Sequence, residues 1–310
     1  TYCSIMIRHS FVVFSIIASL MSAAAAQERV TVGTIRHTDN GALFLAAARG
    51  YFKAEGLDLD MTAYKSDSDV AQAVAAGGVD FGLAAFTTTA FNYAGRGLMK
   101  AIAAQVREKT DYEGSQILVS NAAYSRGLRK PENLKGLAAA IGQIGSLSHY
   151  QIAQVARVKG FDPASITLKP QSTLDAVATV LSEGKVDAAI FPGSYARSML
   201  TGNQAKLAGW YSEIDEQQLG ALFASAKIIK SSRATVEKLL LAYRKGAADY
   251  HAALMRHDRY GKRVSNDKSR EVASAIARYV YPGKKGGGGK VEAEAYFMDP
   301  NHPDGLAARR

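Results

Sequence analysis

The stretch from Val30 to Asp60, VTVGTIRHTDNGALFLAAARGYFKAEGLDLD, indicates the fold of this chain. It divides into a β-type run, a polar loop, an Ala-rich apolar segment at helical spacing and a second β-type run: Val30–Ile35, Arg36–Asn40, Gly41–Ala54 and Leu57–Tyr64. Gly56 is expected to end the helix. The pattern predicts a strand–loop–helix–strand unit, and open α/β sheets bind ligands beyond the carboxyl ends of their strands.

Within this stretch, residues 50–58 read GYFKAEGLD. They closely fit the phrase G-[YF]-F-x-x-E-G-L-[DE], and the chain thereby resembles the ABC-transporter solute-binding proteins of the nitrate, sulfonate, taurine and thiamine-precursor group. The resemblance implies an α/β chain with the two-lobed periplasmic-binding-protein (type II) fold, in which doubly wound sheets are joined by a two-stranded hinge. It also implies that the cleft between the lobes binds a small solute, which an ABC permease in the inner membrane then receives.

The first 26 residues have the pattern of a secretory signal peptide. Arg8 and His9 precede an apolar run, Phe11–Met21, which is shorter than the ~20 residues of a membrane span and is followed by small residues with an A-x-A site. We expect cleavage after Ala26 and a periplasmic mature protein. The single cysteine, Cys3, precedes the apolar run, and the protein is therefore not expected to be a lipoprotein.

The composition is that of a soluble globular protein, with 47% apolar and 21% charged residues. Removing 26 of the 310 residues leaves 284, which is enough for two lobes. The formal net charge of +10 favours anionic partners, and small anionic solutes are expected because an exported protein rarely meets nucleic acid. Much of the positive charge lies between Arg233 and Lys290, away from the loops expected to form the site.

An internal repeat supports the two lobes. Asp69–Leu83 and Asp175–Ala189 start 106 residues apart, and each reads as an amphipathic helix, a Gly-x-Val-Asp turn and a small-residue strand. The first aspartate of each copy is expected to cap its helix, and Gly77 and Gly184 to end the helices in left-handed turns. The strands are expected to be buried on both faces.

These patterns predict three segments after the signal peptide: lobe one in residues 27–116, lobe two in 117–218 and a return to lobe one in 219–310. A long helix, Thr235–Met255, is expected after the return. The chain begins at Thr1 rather than Met and stops soon after Tyr296–Asn301, where related proteins usually carry a further helix or two. A sequence truncated at either end is therefore an open alternative.

Several loops are expected to face the cleft, because each follows a strand and begins a helix. They offer hydroxyl and backbone N–H groups that can hold the oxygens of an anion, although each side chain could equally serve only as a helix cap. The resemblance places ligands at these loops. The candidate ligand-binding residues are His37, Thr38, Asp39, Asn40, Ser66, Asp67, Phe86, Thr87, Thr88, Ser146, Ser148, His149, Pro192, Ser194 and Tyr195.

Two classes of ligand fit these residues. The basic charge and the hydroxyl-rich helix starts favour a small organic anion, such as a sulfonate or an aromatic carboxylate. Alternatively, Asp39 and Asp67 would pair with the amine of a heteroaromatic compound, such as a thiamine precursor, and aromatic residues would stack on its ring. A ligand sensor or an exported enzyme on the same fold is a third alternative.

Sequence motifs for catalysis are absent. The six histidines lack the spacing of a zinc site, and no G-x-S-x-G nucleophile turn occurs. The glycine-rich segment 283–291 fails as a phosphate loop because Val291 stands where Ser or Thr is needed. Eukaryotic pyrimidine synthases of this fold carry a cysteine-rich iron-binding motif, which a mature chain without cysteine lacks. We therefore expect a monomeric binding protein that is not an enzyme, with no cofactor, no metal and no nucleic-acid partner.

Overall fold

The computed structural model describes residues 27–110, 114–256, 259 and 264–293. The predicted signal peptide in residues 1–26 lies outside the described residues, as does the C-terminal phrase Tyr296–Asn301. None of the helices in the described ranges is long and apolar enough to cross a membrane.

In the described part of the chain, ten strands form two five-stranded sheets. The strands are β1 (Glu28–Thr34), β2 (Leu57–Ala63), β3 (Phe81–Ala85), β4 (Met99–Ala104), β5 (Gln116–Val119), β6 (Ala138–Ile141), β7 (Thr167–Pro170), β8 (Ala188–Phe191), β9 (Lys206–Trp210) and β10 (Gly220–Ser225). Sheet one has the order β2-β1-β3-β10-β4, and sheet two has the order β7-β6-β8-β5-β9.

The two sheets exchange one strand each. β5 follows the strands of sheet one along the chain but lies in sheet two, where it is antiparallel to β8 and β9. β10 follows the strands of sheet two but lies in sheet one, antiparallel to β3 and β4. The other pairings are parallel, and the chain therefore crosses twice between two lobes of matching strand order. Lobe one denotes sheet one with its helices, and lobe two denotes sheet two with its helices.

Helices cover both faces of each sheet. They are α1 (Gly41–Ala48), α2 (Tyr51–Ala54), α3 (Asp67–Ala75), α4 (Thr88–Gly95), α5 (Asn121–Ser125), α6 (Leu147–Val158), α7 (Leu174–Ser182), α8 (Gly193–Thr201), α9 (Ala226–Ser231), α10 (Arg233–Leu254), α11 (Asp267–Val280) and α12 (Gly287–Ala293). Leu83 of β3 packs into a core with α1 and α10, whereas Ala84 packs on the opposite face with α3. In lobe two, Ile117 of β5 likewise packs into the core on one face of the sheet, and Leu118 packs into the core on the other face. The prediction that the repeat strands are buried on both faces is confirmed for β3 and β8.

The opening unit has the predicted order of elements, with one difference. The expected single helix from Gly41 to Ala54 is interrupted: α1 ends at Ala48, and α2 begins after Gly50. Gly50 has a φ of +70°, a left-handed conformation that glycine adopts without steric cost. The apolar pattern continues through this break, because the residues on both sides of it face the same core.

The repeated Gly-x-Val-Asp turn has the same role in each lobe. The Asp80 carboxylate accepts a hydrogen bond from the Thr31 N–H at 2.9 Å, and the Asp187 carboxylate accepts one from the Ala138 N–H at 2.9 Å. Each aspartate thereby ties the start of the strand after the turn to the neighbouring parallel strand. The glycines have the predicted left-handed conformation, with φ of +72° at position 77 and +68° at position 184.

The predicted caps of the repeat helices were wrong. Ser66 caps α3, because its hydroxyl oxygen accepts from the Asp69 N–H at 3.2 Å. Thr173 caps α7, because its hydroxyl oxygen accepts from the Ala176 N–H at 3.1 Å. Asp69 and Asp175 instead lie within the first turns, where their negative charges suit the positive end of the helix dipole.

The two crossings pair with each other as an antiparallel hinge. The Leu219 N–H donates to the Val106 carbonyl oxygen at 2.8 Å, and the Glu108 N–H donates to the Gln217 carbonyl oxygen at 2.8 Å. These hydrogen bonds confirm the predicted two-stranded hinge. They also place the carboxyl edges of the two sheets opposite each other.

Candidate functional site

A cavity of about 250 Å³ lies between the two lobes. Lobe one contributes residues beyond β1 and β3 and at the start of α3, and lobe two contributes residues beyond β6 and β8 and at the start of α7. Carboxyl ends of parallel strands and helix N-termini therefore meet there, which is the usual ligand-binding edge of an open α/β sheet. We call this space the inner cavity.

The structure brings together many of the residues that the sequence suggested. Those that line the inner cavity are His37, Asp39, Ser66, Asp67, Thr87, Ser146, Ser148 and Pro192. Three others line a neighbouring space of about 510 Å³, the outer cavity: Phe86, Thr88 and His149. Thr87, Ser146 and Leu147 line both spaces and form the wall between them.

Asn40 and Thr38 lie away from these cavities. Asn40 is fully buried behind the β1–α1 loop: its amide donates to the Thr34 hydroxyl at 2.8 Å and accepts from the Gln105 side chain at 2.6 Å. Thr38 is buried in the same turn. Ser194 lies in the first turn of α8.

Tyr195 belongs to a different part of lobe two. Its hydroxyl donates to the Asp175 carboxylate, and its ring stacks on Phe191 with centroids 5.6 Å apart. Together with Asp175, it lines a separate cavity of about 360 Å³. The burial of Tyr195 raises the pKa of its hydroxyl, and the hydrogen bond to Asp175 adds to this effect.

The hydroxyl groups that cap helices around the inner cavity can also donate hydrogen bonds to a ligand. Ser66, Thr87 and Thr173 each accept the N–H of the third helical residue, at 3.1–3.2 Å. Ser146 does the same for α6 at 3.4 Å. A hydroxyl that accepts through its oxygen can still donate its hydrogen, so these residues can cap a helix and contact a ligand. The four helix N-termini also favour negative charge in the cavity.

Two carboxylates line the inner cavity at the side of lobe one. Asp67 accepts the Ala85 N–H at 2.8 Å, and its burial raises the pKa of its carboxyl. Asp39 lies 3.1 Å from His37 through one oxygen, measured from Oδ2 to Nδ1. The other oxygen, Oδ1, is buried and has no hydrogen-bond partner among the described residues. Because Asp39 lines the cavity, a ligand N–H or O–H group that reaches Oδ1 would satisfy this unpaired oxygen.

Further cavity-lining residues were missed in the sequence, notably Ser115, Gln151 and Thr173. The repeat offset of 106 places Ser66 on Ser172, directly beside Thr173, and this signal could have identified the α7 start. Gln151 lies in the middle of α6, where it donates to the Ser115 hydroxyl at 3.3 Å. No local pattern marks a mid-helix glutamine as part of a cleft. Within the described ranges, no group of three or more His, Cys, Asp or Glu side chains is placed to hold a metal.

The two lobes, the hinge and the cavity between them define a protein with the periplasmic-binding-protein fold. Residues 37–253 match the model of the NMT1/THI5-like family, and the chain belongs to this family. The fold is shared with the aliphatic sulphonate-binding protein SsuA from Escherichia coli, at a TM-score of 0.65 and 15% identity, covering 85% of this chain and 77% of that one.

Two other similar proteins are named for different functions, one for nitrate binding and one for a synthase. The nitrate-binding protein NrtA from Synechocystis PCC 6803 aligns with a TM-score of 0.63 and 12% identity, over 80% of this chain and 65% of that one. The 4-amino-5-hydroxymethyl-2-methylpyrimidine phosphate synthase THI12 from Saccharomyces cerevisiae is 30% identical over 149 residues, which is 48% of this chain and 41% of the yeast protein. The aligned region thus spans less than half of that curated relative.

Proposed function

We propose that this protein binds a small solute in the inner cavity, in the periplasm, and delivers it to an ABC permease without catalysing a reaction. The observation that carries the proposal is one cavity lined from both lobes, which are joined by a two-stranded hinge. Closure of such a hinge is stabilised by a ligand that contacts both lobes. The similarity in fold to sulphonate- and nitrate-binding periplasmic proteins supports this function.

The lining of the inner cavity favours a nitrogenous ligand over an organic anion. Asp39 and Asp67 offer acceptors, whereas the basic lining residues are His37, which lies beside Asp39, and Lys65, which is exposed. The anion hypothesis rested on the overall basic charge and the hydroxyl-rich helix starts, and the described residues of the basic stretch from Arg233 to Lys290 do not line this cavity. A heteroaromatic amine that donates N–H groups to the two carboxylates is therefore the first candidate.

The walls of the inner cavity suit a single flat ring. Its apolar lining includes Ile35, Leu147, Val177 and Ile190, and no Phe, Tyr or Trp of the described residues lines it. Aliphatic residues would therefore cover the faces of a heterocycle, rather than the stacked aromatics that the sequence suggested. The yeast relative named for an aminopyrimidine product supports this class of ligand. An organic anion is the second candidate, because four helix N-termini meet at the cavity.

A thermal-shift and calorimetric titration of residues 27–310 tests this function. We expect 4-amino-5-hydroxymethyl-2-methylpyrimidine to stabilise the fold by ~4 kcal/mol at a thousandfold excess over Kd. Asp39→Asn and Asp67→Asn should each weaken binding about 10- to 100-fold, whereas Asp58→Asn, an exposed control on β2, should leave it unchanged.

The comparison compounds are ethanesulfonate and nitrate. If either anion binds and its affinity survives both asparagine variants in the cavity, the nitrogenous ligand is rejected in favour of the anion. Mass spectrometry of the recovered compound after incubation tests the absence of catalysis, since any chemical conversion would contradict a binding-only role.

A further inference from the structure

The outer cavity has three walls. α4 of lobe one contributes Phe91, α6 of lobe two contributes Tyr150 and Arg157, and the hinge contributes Gln217. Tyr150, Ala153 and Arg157 are spaced by three and four residues, so they lie on one face of α6. The outer cavity has a volume of about 510 Å³, which exceeds the 250 Å³ of the inner cavity. The cavity thus lies beside the inner one and contacts both lobes and the hinge.

Aromatic side chains in this cavity are unusually exposed. Phe91 is 61% exposed and Tyr150 is 44% exposed, although large apolar side chains are normally buried. Phe86 stacks on Phe91 with ring centroids 5.3 Å apart, and its ring also approaches Phe223 of the core edge-on. The stacked pair is therefore anchored on one side and open to solvent on the other, where a further flat ring can pack.

Three polar side chains of the outer cavity can donate hydrogen bonds to a ligand. The Arg157 guanidinium makes no hydrogen bond or ion pair with a described residue. The Gln217 side-chain nitrogen is buried and has no hydrogen-bond partner among the described residues. His149 accepts the Gly145 N–H at its Nδ1 at 2.9 Å, so its Nε2 is the ring nitrogen that can donate. No carboxylate of the described residues lines this cavity.

From these observations we infer that the outer cavity is a second ligand site, which takes a planar aromatic acid. The ring packs against Phe91 and Tyr150, and the carboxylate or sulfonate accepts from Arg157 and Gln217. A guanidinium pairs with such an anion through two parallel hydrogen bonds. The site differs from the inner cavity in its lining: Asp39 and Asp67 line the inner cavity, whereas Arg157, Gln217 and exposed aromatic rings line the outer one.

Calorimetric titration of residues 27–310 with 2-naphthoate tests this site. We expect one molecule to bind, and Arg157→Gln to weaken its binding at least about tenfold, since a hydrogen bond to a charged group is lost. Phe91→Ser should weaken it about fivefold through the loss of ring contact. Arg157→Lys keeps the charge without the paired geometry and should fall between Arg157→Gln and the unaltered protein.

Matched controls come from α10, where Arg244 and Leu241 are exposed and lie outside the cavity. Arg244→Gln, Leu241→Ser and the inner-cavity variant Asp39→Asn should all leave naphthoate binding unchanged. 2-Naphthalenemethanol, which lacks the negative charge, and cyclohexanecarboxylate, which lacks the aromatic ring, should both bind more weakly. Unchanged affinity in Arg157→Gln and Phe91→Ser, or an equal loss in Arg244→Gln, would overturn the inference. A loss in Asp39→Asn alone would assign naphthoate to the inner cavity and would also overturn it.

Discussion

At the scale of single residues, Glu108 of the hinge is unusual because its carboxyl group is buried. It is 1% exposed, and its Oε1 accepts the Ser115 N–H at 2.7 Å. Its Oε2 is buried without a hydrogen-bond partner among the described residues, as is the Tyr211 hydroxyl. Burial raises the pKa of the Glu108 carboxyl, because a charge removed from water loses its hydration. Ser115 also lines the inner cavity, so Glu108 links the hinge to the candidate site.

The raised pKa of Glu108 has a consequence for stability. The folded protein holds the proton of Glu108 more tightly than the unfolded chain does, so its contribution to the free energy of unfolding decreases as the pH rises through the interval between the two pKa values. Glu108→Gln keeps an acceptor for Ser115 and cannot ionise. We expect this variant to lose less stability between pH 4 and pH 8 than the unaltered protein, as measured by urea denaturation.

Glu216 is the control for this prediction, because it lies in the same hinge and its pKa is shifted in the opposite direction. Hydrogen bonds from the Thr110 hydroxyl and N–H lower the pKa of the Glu216 carboxyl. Its stabilising effect is therefore present above its unfolded pKa and is lost as the pH falls. A Glu108→Gln protein whose pH dependence matched that of the unaltered protein would show that Glu108 is not the buried acid described above.

At the scale of secondary-structure elements, α1 and α10 approach each other through a glycine. A methyl group added at Gly246 would lie 2.4 Å from the Ala42 carbonyl oxygen and 2.6 Å from the Ala46 side chain. The first six residues of α1 are buried, which is typical of a helix that is apolar on all sides. α1 follows the loop that carries His37 and Asp39, so this contact supports the position of one wall of the inner cavity.

Gly246→Ala is expected to destabilise the fold by about 1–3 kcal/mol, because the closely packed backbones have to separate. Gly95→Ala is the matched control: Gly95 is also helical, and an added methyl group there meets no atom within 4 Å. The control should be neutral or stabilise the fold by up to ~1 kcal/mol through its helix propensity. The denaturant midpoints of the two variants test this prediction, and equal midpoints would contradict the close approach of α1 and α10.

The elements were largely predictable from the sequence, and the site only in part. The spacing of apolar residues and the positions of glycines indicate strands and helices from a short stretch of sequence. This is why the repeat predicted α3, β3, α7 and β8. A partner distant in sequence carries no such signal. Asn40 is bound by Gln105, 65 residues away. Tyr195 is held by Asp175. Neither partner follows from residue type or spacing, so both residues were reasonable site candidates whose positions required the folded chain.

At the scale of the whole molecule, the lobes touch directly at the wall between the two cavities. The Thr88 N–H at the start of α4 donates to the Gly145 carbonyl oxygen at 2.8 Å, which joins lobe one to lobe two outside the hinge. Gly145 has a φ of +82°, and a methyl group added there would lie 2.6 Å from the Thr88 hydroxyl oxygen. Because this contact requires the lobes to lie close together, we expect its loss to favour a more open arrangement.

Gly145→Ala therefore tests whether this contact sets the balance between open and closed forms. We expect a larger radius of gyration by small-angle X-ray scattering and a several-fold loss of affinity for the inner-cavity solute, because binding has to restore closure. Gly136→Ala is the matched control, since Gly136 has a similar φ of +78° but nothing within 4 Å of an added methyl group. The control shares the backbone strain of roughly 1–2 kcal/mol but not the clash with Thr88. If both variants change the radius and the affinity equally, strain alone explains the effect and the Thr88–Gly145 contact does not control closure. If only Gly145→Ala changes the radius and the affinity, and the double variant with Thr88→Gly restores both, then the Thr88–Gly145 contact stabilises the closed form.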